Sequence, residues 1–246
     1  MTVAWYETRL GLDSPQPPPV LGTFISLANQ TEFSSGGFRW ESYFRSGAAA
    51  YAVQKDEFDN FRFEIHPGDM ADADVANNPG TERAEINHVG SLDQSKTINI
   101  SYLQMIAPGD AIDSNKLFAF GQLHDVEDPG DAGGVVPLLM RCGDYSQVIG
   151  RAYSSKPTIS SPPIVAASFG ASPARGVWTS YRWRFKYDSV NGMLQIFRNE
   201  VLLIDYVGPF GYLDTKGPSP QFGIYRGTTT SGMTVVYYSG ISISYE

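Results

Sequence analysis

The sequence predicts an all-β fold, a jelly-roll sandwich of two antiparallel sheets with a concave groove over one of them. Three observations carry this expectation. There are 25 Gly, 16 Pro, 14 Tyr and 14 Phe against only 18% charged residues, a balance that suits many short strands joined by turns better than long helices. Strand-like runs recur at regular short intervals from Phe38 to the C-terminus, the spacing of a sandwich. No segment keeps a 3.6-residue period, and Ala71 to Ala76 makes one short turn of helix at most.

Taken in order, residues 1–35 read as an extended arm punctuated by Pro15, Pro17, Pro18 and Pro19, with one strand near Phe24 to Ala28. Strands are then expected over Phe38 to Arg45, Asn60 to His66, Thr81 to His88, Lys96 to Ile106 and Phe118 to His124. Further strands are expected over Pro137 to Arg141, Gln147 to Ala152, Trp178 to Lys186, Met193 to Arg198, Leu202 to Val207, Ser219 to Tyr225 and Thr234 to Tyr245. Asn191-Gly192 tolerates the positive φ of a tight turn and marks a hairpin. Pro67 to Gly80, Val126 to Val136 and Tyr153 to Gly176 read as long loops, the kind that line functional clefts. No repeat or linker divides the chain, so residues 1–246 are read as one domain.

The bulk numbers exclude several classes. A single cysteine, Cys142, rules out an intramolecular disulfide and a cysteine-based metal site. A net charge of −8 tells against nucleic acid, whose phosphates want a basic face. No run of apolar residues is long enough for a membrane span. Met1 to Glu7 has neither the basic start nor the apolar stretch of a signal peptide, so export would rely on a removed signal or another route.

Side chains two apart on a strand share a face. Arg83, Glu85 and Asn87 therefore align, with Ala84 and Ile86 opposite. Gln122 and His124 align, with Leu123 opposite. Ser219, Gln221, Gly223 and Tyr225 align, with Phe222 and Ile224 opposite. Three polar stripes with apolar backing, placed side by side, would make a sheet face able to perform β-elimination on a uronate. Such a site must neutralise the carboxylate beside C5, which Gln, Asn or Arg can do by hydrogen bonding. It must also remove the C5 proton and protonate the departing O4, work that a neutral His and a Tyr can divide or one Tyr can do alone.

Three blocks resemble the jelly-roll polysaccharide lyases of the alginate, glucuronan and heparin lyase I types. Glu82-Arg83-Ala84-Glu85-Ile86 is similar to their Arg-Ser/Thr-Glu-Leu-Arg strand, Gln122-Leu123-His124 to their Gln-x-His, and Gly223-Ile224-Tyr225-Arg226 to their terminal Gly-Val/Ile-Tyr block. The likeness runs from about Phe61 to the C-terminus. It implies a secreted, monomeric lyase acting on an anionic, uronic-acid-containing polysaccharide, with Gln122, His124, Tyr225 and Arg83 as catalytic residues. The residues expected to bind substrate are Glu85, Asn87, His88, Gln221, Arg226, Arg182 and Arg184. His88 would help neutralise a carboxylate, and Arg182 and Arg184, with Lys186, would form a basic wall for a polyanion.

The sequence departs from that pattern in three places. Ser219 stands where the alginate lyases carry their catalytic Tyr, Gln221 where they carry Lys, and Asn87 where the first block ends in Arg. Tyr225, on the face of Ser219, is the substitute acid, with Tyr212, Tyr181 and Tyr153 as others that reach in from elsewhere; alternatively His124 is the base and a different group the acid. The resemblance requires no cofactor. It is compatible with a structural calcium, for which Asp69, Asp72 and Asp74, or Asp125, Glu127, Asp128 and Asp131, supply oxygens. Asn29 and Asn99 begin glycosylation sequons. The alternative function is a non-catalytic, lectin-like carbohydrate-binding jelly roll. A laminarinase-type glycosidase is disfavoured, because no Glu-x-Asp-x-x-Glu run is present.

Overall fold

The computed structural model describes residues 17–246, apart from 49, 73, 78–79, 111–116, 127–135, 142–144, 151–164, 172, 189, 212–214 and 229–231. Among the described residues sixteen strands are formed: β1 Ile25–Ser26, β2 Glu32–Ser35, β3 Phe38–Phe44, β4 Val53–Lys55, β5 Phe61–Ile65, β6 Thr81–His88, β7 Thr97–Ile106 and β8 Phe118–His124. They continue with β9 Leu138–Arg141, β10 Tyr145–Gly150, β11 Val165–Ala171, β12 Thr179–Lys186, β13 Met193–Arg198, β14 Val201–Val207, β15 Ser219–Gly227 and β16 Thr234–Tyr245. One turn of helix, α1 Asp74–Asn77, lies in the expected stretch.

The strands form two eight-stranded sheets, both antiparallel throughout. Sheet I has the order β1-β4-β5-β16-β7-β12-β13-β14, and sheet II the order β11-β10-β9-β8-β15-β6-β3-β2. The chain crosses between the sheets repeatedly, from β5 through β6, β7 and β8 and again from β14 through β15 to β16, as in a jelly roll. The described part of the arm does not stand apart, because β1 and β2 each add an edge strand, one to each sheet. Three strands escape the sequence pattern. β2 and β4 are short, and β11, Val165-Ala-Ala-Ser-Phe-Gly-Ala, is built mainly of small residues and crosses the stretch expected to be a loop.

Strict alternation explains why these segments pair as they do. β7 and β12 each bury every second residue: Ile98, Ile100, Tyr102 and Ile106 on one, Tyr181, Trp183 and Phe185 on the other. These meet Ala84, Ile86, Leu123, Phe222 and Ile224 from sheet II in one continuous core. Sheet-on-sheet burial of this kind leaves each outer face to polar residues.

Two irregularities matter for function. The β15–β8 register shifts between Phe222 and Tyr225, so Gly223 and Ile224 stand opposite Phe120, a β-bulge. Gly223 has φ 136°, and a Cβ there would lie 2.2 Å from the Ala84 carbonyl, so no other residue fits. Gly121 on β8 lets the Trp183 ring of sheet I approach to 2.9 Å of where a Cβ would be. Bulges interrupt the ladder, and Tyr238 of β16 supplies what is missing. Its hydroxyl donates to the Phe120 carbonyl, lies 3.2 Å from the Gly223 carbonyl, and accepts a 2.9 Å hydrogen bond from Gln104 Nε2.

A second buried polar contact ties the far ends of β6 and β15. Arg226 is 1% exposed and donates to Glu82 at 2.6 Å, to Thr234 Oγ1 at 2.8 Å and to the Gly232 carbonyl at 2.9 Å. Glu82 also accepts the Gly68 N–H. With its partners satisfied the pair is tolerated in the core; loss of one member leaves a buried charge, which costs about 3–5 kcal/mol.

Tyr238→Phe removes a donor and leaves buried carbonyls unsatisfied, a loss of about 1–3 kcal/mol. A thermal melt should show a fall of several degrees relative to the wild type. An unchanged melting temperature would mean that the bulge holds without the hydroxyl.

Candidate functional site

β15 lies between β6 and β8, and β6 between β15 and β3. The register turns the separate polar stripes into rows across the outer face of sheet II. Gln122, Gln221, Asn87 and Glu41 stand side by side on four strands. Next along, Gly223, Glu85 and Tyr43 align, and beyond them Tyr225 and Arg83. In the opposite direction His124 stands beside Ser219.

Gln122 is 3% exposed, and both of its amide hydrogens are engaged. Nε2 donates to Gln221 Oε1 at 2.7 Å and to Glu85 Oε1 at 3.1 Å. The Gln221 oxygen being taken, what Gln221 has left to offer a ligand is its Nε2 donors. Asn87 Oδ1 and Glu85 Oε2 are buried acceptors without a hydrogen-bond partner among the described residues.

Glu85 is 1% exposed. Burial drives its pKa up to about 7; the charges of Arg83 and His124 oppose that rise without cancelling it. Near neutrality it is therefore as often protonated as ionised. Arg83 Nε lies 2.9 Å from Asp74 Oδ2 on α1 and 3.5 Å from Glu85 Oε2. Its guanidinium sits 4.5 Å from the Tyr225 ring centroid and 5.1 Å from that of Tyr43, so it is held between two aromatic faces. Burial and the nearby Asp74 raise the Tyr43 phenol above its ordinary range.

His124 Nδ1 lies 3.0 Å from the Asp125 main-chain carbonyl and 2.8 Å from its Oδ1. Those acceptors fix the proton on Nδ1 and leave Nε2 as the nitrogen that exchanges a proton with a ligand. Burial alone would lower the pKa of this imidazole, but the Asp125 side chain and carbonyl outweigh it, so the net shift is upward.

The structure gathers Gln122, His124, Gln221, Asn87, Glu85, Arg83 and Tyr225 on one face, and it separates other candidates from them. Tyr225 is six residues along β15 from Ser219, the neighbour of His124, which is about 20 Å of strand. Ser219 itself donates to the His88 carbonyl at 2.8 Å. His88 has the parity of Ala84 and Ile86, and its ring packs on Phe38 and Trp40 at the edge of the sandwich rather than beside Asn87; burial lowers its pKa.

Arg226, one residue out of phase with Tyr225, is buried on the inner side against Glu82 and cannot contact a ligand on the outer face. Arg182 and Arg184 lie on β12 in sheet I, not beside the polar rows of sheet II. Arg182 covers Phe197 at 3.6 Å and approaches Glu200 at 3.5 Å, while Arg184 pairs with Glu246 at 2.7 Å. The expected basic wall is thus on the wrong sheet, with these two arginines paired to acids. Tyr181 is buried against Tyr102 in the core. Tyr153 and Tyr212 lie outside the described residues.

Of the acids expected as calcium ligands, those among the described residues have other partners. Asp74 holds Arg83, Asp125 holds His124, Asp69 accepts from Tyr51 and the His66 N–H, and Asp72 accepts from Ser46. Among the described residues no group of three or more His, Cys, Asp or Glu is arranged to hold a metal; Glu127, Asp128 and Asp131 lie outside them. Tyr43 was not singled out from the sequence, though the alternation of Arg39, Glu41 and Tyr43 on β3 carried the signal. Asp74 and Asp125 stood out only as loop acids, because a strand pattern cannot show which loop folds back on it.

No protein-family model matches the sequence, and no curated protein matches it. Solved structures do. An endo-β-1,4-glucuronan lyase from the fungus Trichoderma reesei is similar with a TM-score of 0.60 and 10% identity, over 91% of this chain and 95% of that one. A family 7 alginate lyase solved in complex with substrate gives a TM-score of 0.58 and 13% identity, over 91% and 92%. An alginate lyase from Pseudomonas aeruginosa gives 0.55 and 15%, over 79% and 86%. The chain has the β-jelly-roll fold of the polysaccharide lyases.

Proposed function

We propose that the protein is a polysaccharide lyase that cleaves a uronic-acid-containing polymer by β-elimination, leaving a 4,5-unsaturated uronate end. The observation that carries this reading is the pairing of a proton-transfer group, His124 fixed by Asp125, with a row of amides on the same sheet face. The fold shared with glucuronan and alginate lyases supports it.

In this reading the Gln221 and Asn87 amide donors hold the carboxylate of the reacting uronate. They stabilise the negative charge that spreads onto it as the C5 proton leaves. Gln122 spends its hydrogens on Gln221 and Glu85, so it orients and polarises that row. Arg83 adds positive charge from the row beyond. His124 Nε2, in its neutral form, takes the C5 proton; the electron pair forms the C4–C5 double bond as the C4–O4 bond breaks. The imidazolium then returns the proton to O4 of the departing sugar. One group suffices when H5 and O4 lie on the same side of the ring, and Tyr225 stands too far along β15 to share this step. Tyr225 and Tyr43, stacked about Arg83, serve instead as a surface for sugar rings further along the chain.

Incubation with glucuronan, alginate, hyaluronan, heparin and bacterial exopolysaccharides should raise the ultraviolet absorbance of an unsaturated uronate with at least one of them. His124→Ala should lower turnover by at least about 100-fold with the fold intact by circular dichroism, and Gln122→Ala should also be severely impaired. Binding without any absorbance change would support a lectin instead.

The pH profile gives a separate check. His124 acts first as a base, so the rate should rise with pH as its raised pKa is passed. Asp125→Asn removes the charge that raises that pKa, and the rising limb should move to lower pH. A limb that stays in place, or moves up, is incompatible with His124 as the base.

A further inference from the structure

We infer that the polymer read by this face carries its uronates singly, with neutral sugars on either side, rather than as an unbroken run of uronates. The inference rests on the lyase reading above and specifies its substrate class.

The first observation is the chemistry of the row beside His124. Ser219, Gln221, Gln122 and Asn87 are all uncharged, and the first charged side chain of the row is Glu41, beyond Asn87 on β3. Amides and hydroxyls bind neutral sugar hydroxyls as readily as they bind a carboxylate, whereas a run of carboxylates calls for cations.

The second observation concerns acceptors. Asn87 Oδ1 is buried and without a hydrogen-bond partner among the described residues. A buried acceptor needs a donor. An ionised carboxylate has none, but every hydroxyl of a neutral sugar does. The face therefore leaves the Asn87 acceptor without a donor, and a hydroxyl-rich ring supplies one.

The third is the balance of charge. Around the rows the described residues place Glu41, Asp74 and Asp125, with Glu85 only partly ionised, against Arg83 and His124, while Arg45 at the end of β3 lies 3.9 Å from Asp69. Arg83 is already shared by Asp74 and Glu85, and Arg39 is paired with Glu32. The distance from Ser219 to Tyr225, about 20 Å, exceeds the screening length of about 8 Å at physiological salt. A polymer bearing a charge on every ring would lay several carboxylates along this acidic strip with few unpaired cations to meet them. A single carboxylate among neutral rings avoids that repulsion, and the neutral rings find acceptors and the Tyr43 and Tyr225 faces.

The test compares deacylated gellan, whose glucuronates are separated by neutral sugars, with polyglucuronate and alginate at one fixed ionic strength. Release of unsaturated ends should give a kcat/KM at least about tenfold higher on gellan. Asn87→Arg, alone and with Gln221→Lys, should shift that ratio toward the homopolymers. Equal or faster cleavage of a homopolymer by the wild type overturns the inference. If no polymer is cleaved, affinity electrophoresis in gels containing each polymer separates the two ideas. Stronger retardation in gellan keeps the substrate class while the lyase reading falls. Stronger or equal retardation in a homopolymer, or none in any gel, overturns the inference as well.

Discussion

One hydroxyl reaching from sheet I into the backbone of sheet II underlies the arrangement of the site. Tyr238 bonds carbonyls on either side of the β8–β15 bulge, at Phe120 and Gly223, and Gln104 fixes its orientation from the next strand. The consequence is one of parity. Without the bulge, Phe118 would pair with Tyr225 and share the polar face. The shift pairs Tyr225 with Ala119 instead and sends Phe118 into the core. Gly223 is essential to this geometry because it alone fits against the β6 backbone. The polar face is therefore set from behind, by a contact that no ligand touches.

Charge on that face is managed by sharing. Arg83 lies between two carboxylates and two aromatic rings, and Glu85 is buried deeply enough to hold a proton near neutrality. His124 is governed by a single neighbour, Asp125, whose charge and carbonyl overcome the effect of burial. A net charge of −8 would by itself repel an anionic polymer, and these local terms offset that, since what a ligand feels is the groove's own arrangement. They do so only in part, since among the described residues the acids of the face outnumber its cations, and Arg182 and Arg184 lie on the other sheet.

Much of this was legible in the sequence because a strand repeats every two residues. The alternation of β6, β8 and β15 gave the three stripes correctly, and β7 and β12 announced their buried sides in the same way. Two expectations departed from that rule. Applied strictly, it puts His88 on the face of Ala84 and Ile86, not on that of Asn87. It likewise turns Arg226 inward from Tyr225. The β11 strand stayed hidden because small residues lack the β-branched signature of a strand.

By itself, then, the sequence determined the all-β sandwich, the identity of most strands and the three polar stripes of sheet II. Those are properties of a local period and of side-chain chemistry. Only the tertiary structure decided which stripes lie side by side, because register across β8, β15, β6 and β3 depends on pairings between distant segments. It also decided that Asp125 belongs to His124 and Asp74 to Arg83, that Tyr225 stands well away from His124, and that the arginines of β12 face away on the other sheet. Each of these is a contact across sequence distance, set by how two twisted sheets close on a shared core, and no local pattern contains it.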